Sequence, residues 1–210
     1  MRRALIPLLL LVPLIPGVPA ARAQNAPDGA TSVQLTPADQ GWIGRIQDTL
    51  NGITTLKARF QQIAPDGRRT TGTVWLDRPG RMRFEYDKPS PLLLVAGAGR
   101  MVFTDSQLGQ TTEIPLEKTP VGLLLRPNLS LAGDVTITGF NHANGLLQVA
   151  LVRTATPGDG SLTVVLTDNP VALKGWSVID AQGRETHVDL FDITTGLAVP
   201  QSLFETKVEQ

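Results

Sequence analysis

The chain has 210 residues, with 19 Lys and Arg balanced by 19 Asp and Glu, and it contains no cysteine. That length fits one domain, or at most two small ones, with a substantial hydrophobic core. The balanced charge argues against a protein whose main role is to bind nucleic acid. The lack of cysteine excludes a disulfide scaffold, a thiolate zinc site, a cysteine nucleophile and a lipid-anchoring cysteine. With only His142 and His187 available, we predict no multi-histidine metal centre. No cofactor is predicted either.

The first 23 residues have the layout of a cleavable signal peptide. Met1-Arg2-Arg3 is basic, residues 4–16 are mostly Leu, Ile and Val, and Ala21-Arg22-Ala23 is a small-x-small cleavage site. The apolar run is too short for a membrane anchor and prolines interrupt it. Cleavage after Ala23 removes three arginines and no acid, which leaves 16 basic against 19 acidic residues. An exported, mildly acidic protein without cysteine suits a bacterial periplasm.

Residues 24–35 are small and polar, and we predict a flexible leader there. A helix should follow, with Thr36 as N-cap and Pro37 at its first position. Its apolar residues recur at helical spacing and Asn51-Gly52 should end it. The apolar stripe consists of Trp42, Ile43, Ile46 and Leu50.

After the helix, the period of the apolar residues changes to two, which predicts strands. Leu56-Ala58-Phe60 alternates with polar residues, Thr71-Thr73-Trp75 alternates with Gly72-Val74-Leu76, and Met82-Phe84-Tyr86 alternates with charged residues. Further strands are predicted at 92–96, 100–105, 134–140, 146–153, 161–167, 176–181 and 185–191, separated by turn residues. So many strands with short turns indicate an antiparallel meander closing toward a barrel or sandwich.

Residues 119–127 interrupt this pattern. Thr119 and Pro120 are typical of a helix start, a run of leucines follows, and Pro127 would end the segment. We predict one or two helical turns, too short to be stable alone, that press their leucines against the apolar face of the sheet.

No catalytic motif is present, and we predict that the protein is not an enzyme. The one candidate constellation is Glu185, His187 and Asp189 on one strand face. We favour a solvated outer face there, because outward polar residues are the default in half-exposed strands. His142 is interpreted as a turn residue. A lipid hydrolase is the weaker alternative function, and it would depend on His187.

Several strands carry an apolar row on one face. The rows are Leu147-Val149-Leu151, Leu162-Val164-Leu166, Trp176-Val178 and Val188-Leu190. They either form the protein's own core or, because few helices are available to cover them, line a cavity for an apolar ligand.

Four segments resemble the periplasmic outer-membrane lipoprotein carrier family, LolA. They are Phe60-Gln61-Gln62, the run from Gly72 to Tyr86, the run from Lys118 to Leu125, and the run from Val178 to Gly183. They occur in the family's order, and the run from Gly72 to Tyr86 is the most specific.

The resemblance implies a mainly β fold: an open antiparallel half-barrel whose apolar concave face is covered by short helices acting as a lid. It implies a single carrier domain at 36–210, in the periplasm of a Gram-negative bacterium. Such a carrier would accept acylated lipoproteins from an inner-membrane ABC-type releasing complex and deliver them to an outer-membrane receptor. We expect a monomer, because the residues predicted for the convex face are polar. The chain ends soon after Phe204, so we expect no C-terminal extension of the kind that longer members have.

The resemblance also assigns residues. It implies an acyl-binding cavity and lid formed by Phe60, Trp75, Met82, Phe84, Tyr86, Leu123, Leu124 and Leu125. Arg78 matches the arginine that holds the lid shut, since a guanidinium can donate to several carbonyls. The other interpretation of Arg78 is a solvated turn residue paired with Asp77 or Glu85. A lipoprotein-binding sensor or receptor is the alternative function.

Overall fold

The computed structural model describes residues 30–205, so the predicted signal peptide and most of the predicted leader lie outside the described residues. One long helix, α1 (Pro37–Gly52), precedes eleven strands. The strands are β1 (Thr55–Ile63), β2 (Arg69–Asp77), β3 (Arg81–Tyr86), β4 (Leu92–Gly97), β5 (Arg100–Asp105), β6 (Gln110–Pro115), β7 (Val135–Ala143), β8 (Leu146–Arg153), β9 (Gly160–Asp168), β10 (Val171–Asp180) and β11 (Glu185–Thr195).

The strands form one antiparallel sheet that does not close. Its order is β6-β5-β4-β3-β2-β1-β11-β10-β9-β8-β7, so two meanders are joined where β1 pairs with β11. The fold is therefore the predicted open half-barrel, with β6 and β7 as its two edges. Since these two strands are consecutive in the chain, the connection between them has to cross from one edge of the sheet to the other.

The helix begins as its sequence predicts. The Thr36 side chain accepts from the Asp39 N–H, and the Asp39 carboxylate accepts from the Thr36 N–H, which forms a capping box. The helix continues through Gly52, slightly beyond the predicted end. Ile46 and Leu50 are fully buried, and α1 packs against β10.

Most strands agree with their predicted positions, and the largest differences concern four strands. β11 extends to Thr195, beyond the predicted end at 191. β6 was not predicted, because all six of its residues are exposed and leave no apolar alternation. β10 begins at Val171, earlier than the predicted 176. β7 extends to Ala143, so His142 is a strand residue that pairs with Leu147 and not a turn residue.

The core lies between the concave face of the sheet, α1 and the connection between the two edge strands. The rows of β8 and β9 (Leu147, Val149, Leu151, Leu162, Val164 and Leu166) are completely buried there. For these rows the core interpretation is correct. The short 3-10 helix Gln201–Phe204 packs instead on the outer face of β3 and β4, where the Leu203 carbonyl accepts from Arg83.

Candidate functional site

A cavity of about 420 Å³ remains on the concave face of the sheet. One wall comes from β3, β4 and β5, and the other from β10 and β11. The apolar lining consists of Met82, Phe84, Tyr86, Leu94, Met101, Ile114, Pro120, Val121, Trp176, Val178, Ala181 and Val188. Polar residues, among them Gln62, Lys118, Asp159, Asp180 and Arg184, complete the lining. An apolar interior with polar groups at its margin is the usual character of a ligand site.

An aromatic cluster supports the cavity wall. The ring centroids of Phe60 and Phe84 are 4.7 Å apart, those of Phe60 and Tyr86 are 5.3 Å apart, and Phe84 lies 6.0 Å from Trp176. Such edge-to-face and tilted contacts stabilise aromatic pairs beyond their burial alone. Phe60 is only 1% exposed and does not line the cavity, so it packs against Phe84 and Tyr86 within the core.

Tyr86 adds one polar atom to this wall without adding a charge. Its hydroxyl donates to Gln62 Oε1 at 2.9 Å. Burial raises the pKa of Tyr86 to about 12, so the phenol stays protonated at neutral pH. The wall therefore presents uncharged surface to a bound ligand.

The structure places the strand residues assigned by resemblance in three positions. Met82, Phe84 and Tyr86 line the cavity, whereas Phe60 contacts Phe84 and Tyr86 without lining it. Trp75 lies on the opposite, outer face of the sheet, where it pairs with Lys57 and Arg83, so its assignment to the cavity is wrong. The physical reason is the strand period of two, which puts Trp75 and its neighbours Val74 and Leu76 on different faces.

The connection between β6 and β7 covers the concave face, and we refer to its residues 116–126 as the lid segment. It contains two short 3-10 helices, Leu116–Lys118 and Pro120–Leu123, and Thr119 caps the second by accepting from the Gly122 N–H. Leu123, Leu124 and Leu125 are each at most 2% exposed. They do not border the cavity, whose edge the lid segment meets through Val121 and its neighbours.

Arg78 connects the lid segment to helix α1. Its Nε donates to the Arg126 carbonyl at 2.8 Å, and Nη1 donates to the carbonyls of Leu50 and Ile53. Because α1 has no basic residue in its last turn, Arg78 supplies the cation that the negative end of the helix dipole favours. Burial lowers the pKa of Arg78 from its ordinary value. The guanidinium nevertheless remains charged, since arginine titrates far above neutral pH.

The acids that could have paired with Arg78 bind other arginines. Asp77 forms an ion pair with Arg81 at 2.7 Å, and Glu85 forms one with Arg83 at 3.1 Å. Arg78 is thus half-buried, and its guanidinium donates to backbone carbonyls and not to these acids. The Gly80 N–H adds a hydrogen bond to the Leu125 carbonyl at 2.9 Å.

Arg153, which the sequence analysis did not single out, holds the other end of the lid segment. Its Nη2 donates to the Thr119 carbonyl at 2.8 Å, and burial lowers its pKa. Thr119 borders the cavity, whereas Arg126, at the Arg78 end, does not. Arg153 therefore controls the end of the lid segment that lies beside the cavity.

Replacing Arg153 by Met should loosen that end alone, because the aliphatic stem is retained and the donor is lost. A lost hydrogen bond from a charged donor costs about 1.5–3 kcal/mol. Amide hydrogen exchange of Gly122 should accelerate by about tenfold or more, with the Gly80 amide at the Arg78 end unchanged. Equal acceleration at both ends would contradict independent fastening.

The constellation of Glu185, His187 and Asp189 lies on the outer face. His187 Nε2 is 3.3 Å from Asp189 Oδ1, and Glu185 is exposed. Among residues 30–205, no group of three or more His, Cys, Asp or Glu side chains is arranged to hold a metal ion. Over the same residues, no helix is both long enough and apolar enough to cross a bilayer.

The chain is similar in sequence to outer-membrane lipoprotein carrier proteins. Residues 51–207 match the family model described as outer membrane lipoprotein carrier protein LolA. An outer-membrane lipoprotein carrier protein of Methylococcus capsulatus is 29% identical over 185 residues, covering 84% of this chain and 86% of that protein. One from Dechloromonas aromatica is 30% identical over 190 residues, covering 84% and 89%. Among solved structures, a LolA superfamily protein from Nitrosomonas europaea aligns with a TM-score of 0.42 at 9% identity, covering 78% of this chain and 97% of that one.

Proposed function

We propose a function for this chain, which belongs to the outer membrane lipoprotein carrier protein family, LolA. The proposed role is that of a periplasmic carrier which shields the acyl chains of lipoproteins between the inner and outer membranes. The observation that carries this proposal is an apolar cavity of about 420 Å³ beside the lid segment. The leucines of the lid segment are buried, and the side chains of Arg78 and Arg153 hold it by hydrogen bonds to its carbonyls.

Acyl chains need such a cavity because their exposure to water is expensive. Each methylene buried in hydrocarbon contributes about 0.8 kcal/mol, so a protein carrying several chains would leave a membrane very slowly unaided. We propose that the chains displace the leucines of the lid segment from the concave face. The cavity beside Val121 would be the point of entry, since apolar surface is already open there.

We further propose that the cargo comes from an inner-membrane ABC-type complex and goes to an outer-membrane acceptor. The carrier would then need no cofactor, because energy enters at the transporter and each later transfer proceeds toward higher affinity. No catalytic step is part of this role. We also propose that residues 36–210 work as one monomeric unit.

Affinity purification of the mature protein from periplasm, followed by mass spectrometry of intact complexes, tests the proposal. The expected species is one carrier with one acylated lipoprotein. Recovery of phospholipid without protein, or of the same proteins in unacylated form, would contradict a lipoprotein carrier.

Two neighbouring residues of β10 offer a matched test of the cavity. Val178 lines the cavity, whereas Ile179 points to the outer face and is 38% exposed. We expect Val178→Asn to weaken binding of a fluorescent palmitoylated lipopeptide by about tenfold, because an amide placed among acyl chains loses its hydrogen bonds to water. Ile179→Asn should bind as the unaltered protein does. Equal losses in both variants would place the binding surface elsewhere.

A further inference from the structure

The two edges of the sheet differ in how they are protected. At β7, the Val33 N–H donates to the Ile137 carbonyl at 2.9 Å, and a bulge interrupts the strand between Ile137 and Gly139. Coverage and bulges of this kind prevent a sheet edge from pairing with a foreign strand. Within residues 30–205, β6 has neither device: it pairs with β5 in continuous register and all six of its residues are exposed.

The free backbone groups of β6 can be assigned from its hydrogen bonds. The Leu116 N–H donates to the Gly99 carbonyl, which shows that this residue faces β5. Since the direction alternates along an antiparallel strand, Thr112 and Ile114 also face β5. The N–H and C=O groups of Thr111 and Glu113 therefore point outward, spaced as an added antiparallel strand requires.

This open edge adjoins the cavity. Ile114 lines the cavity and is also 43% exposed. A shallow depression of about 360 Å³ at the Pro115 end of β6 shares Ile114 with it. If an acyl chain is inserted in the cavity near Ile114, the polypeptide attached to it would therefore lie beside β6.

We propose that β6 binds the cargo polypeptide segment that directly follows the lipid-bearing residue, as a twelfth antiparallel strand. This proposal rests on the carrier function above. The segment begins at the Pro115 end and runs toward Gln110, against the direction of β6. About four to five residues would suffice, because a strand advances about 3.4 Å per residue.

Main-chain pairing suits a carrier that accepts many cargoes. Backbone hydrogen bonds give affinity without reading side chains, as in other cases of strand addition. β6 is rich in threonine, with Thr111 and Thr112 at its centre, and β-branched residues favour an extended partner. An extended segment held there also keeps the folded part of the cargo away from the lid segment.

The test compares two double variants of the full mature chain. Thr111→Pro with Glu113→Pro removes only outward N–H groups, which proline tolerates on an edge strand. Thr111→Val with Glu113→Val keeps those groups and equally removes the ion pair between Arg100 and Glu113, which is 2.6 Å long. The probes are a synthetic lipopeptide with palmitoyl chains on its first residue and a five-residue tail, and the same lipidated residue without the tail.

We expect the proline variant to bind the tailed probe about five- to tenfold more weakly than the valine variant, and both to bind the tailless probe equally. A second measurement uses the unaltered protein and tails N-methylated at alternate positions. Methylation of one alternate set should weaken binding and methylation of the other should not, since only one set faces β6.

Three results would overturn the proposal. Equal binding of the tailed probe by both variants, with no effect of either methylation pattern, would overturn it and leave the carrier function standing. Failure of the unaltered protein to bind either probe would overturn the carrier function and this proposal together. A concentration-dependent dimer in sedimentation, lost only in the proline variant, would assign the edge to a second copy of the chain.

Discussion

Arg78→Leu is expected to open the lid segment in the empty protein and to slow cargo release. The leucine side chain removes the guanidinium that donates to the carbonyls of Leu50, Ile53 and Arg126. Two of these hydrogen bonds, from Nε and Nη2 to the Arg126 carbonyl, join Arg78 to the lid segment. At about 1.5 kcal/mol each, the low end for a charged donor, their loss should weaken closure by about 3 kcal/mol. Amide exchange of Leu124 and Arg126 should then accelerate by about a hundredfold.

The effect on transport should have opposite signs for uptake and release. A protein whose lid segment is already open needs less free energy to reach the state that accepts acyl chains. Its apparent affinity for a palmitoylated lipopeptide should therefore rise. Release into acceptor vesicles should slow by about tenfold or more, because closure no longer helps to expel the chains.

Arg81→Leu is the matched control for the latch. Arg81 lies in the same hairpin, but it pairs with Asp77 and has no contact with the lid segment among its hydrogen bonds. In this variant, amide hydrogen exchange of the lid segment and release of the lipopeptide should match those of the unaltered protein. Arg78→Lys should fall between the two, since an ammonium cannot reach three carbonyls in one plane as a guanidinium does. Unchanged release by Arg78→Leu would contradict the latch.

Gly72→Val is expected to have the largest effect on folding. A Cβ at this position would lie 2.6 Å from the Phe60 ring and would also collide with the carbonyl oxygen of Glu85 on β3. Because one neighbour is backbone of a paired strand, β2 and β3 would have to separate. We expect a loss of at least about 3 kcal/mol in the free energy of unfolding, typical of severe overpacking.

Gly41→Ala is the control for this position. A Cβ at Gly41 in α1 meets nothing within 4 Å, so the substitution should stabilise the helix by about 0.5–1 kcal/mol. Urea unfolding of both variants, followed by circular dichroism, measures the two changes. If the Gly72→Val protein were as stable as the unaltered chain, the space that Gly72 leaves beside the Phe60 ring would not be required for stability.

The place of Trp75 shows how local pattern and family resemblance can disagree. The alternation in β2 grouped Trp75 with Thr71 and Thr73, opposite Val74 and Leu76, whereas the resemblance assigned it to the cavity. The structure agrees with the alternation. A period of two follows from backbone geometry in every strand, so it remains reliable where a motif match does not distinguish the two faces.

The cavity residues on β10 and β11 were predictable only in part. The rows containing Trp176, Val178 and Val188 were expected to be either core or cavity wall, and they border the cavity. The equivalent rows on β8 and β9 are fully covered. The difference depends on how far α1 and the lid segment extend across the sheet, which no local pattern records.

By itself, the sequence determined the parts of this protein that depend on neighbours along the chain. The cap at Thr36, the alternation in β1 to β3 and the short helix after Thr119 all arise from backbone geometry and nearby side chains. The family also followed from ordered local motifs.

Only the tertiary structure decided which surfaces are covered and which groups meet. Arg78 reaches Arg126 across 48 positions of sequence, Arg153 reaches Thr119 across 34, and β6 is left open while β7 is covered. Such contacts depend on the curvature of an eleven-stranded sheet and on the path of one connection across it. Both are properties of the packed whole, because burial there is shared among segments that are distant in the chain.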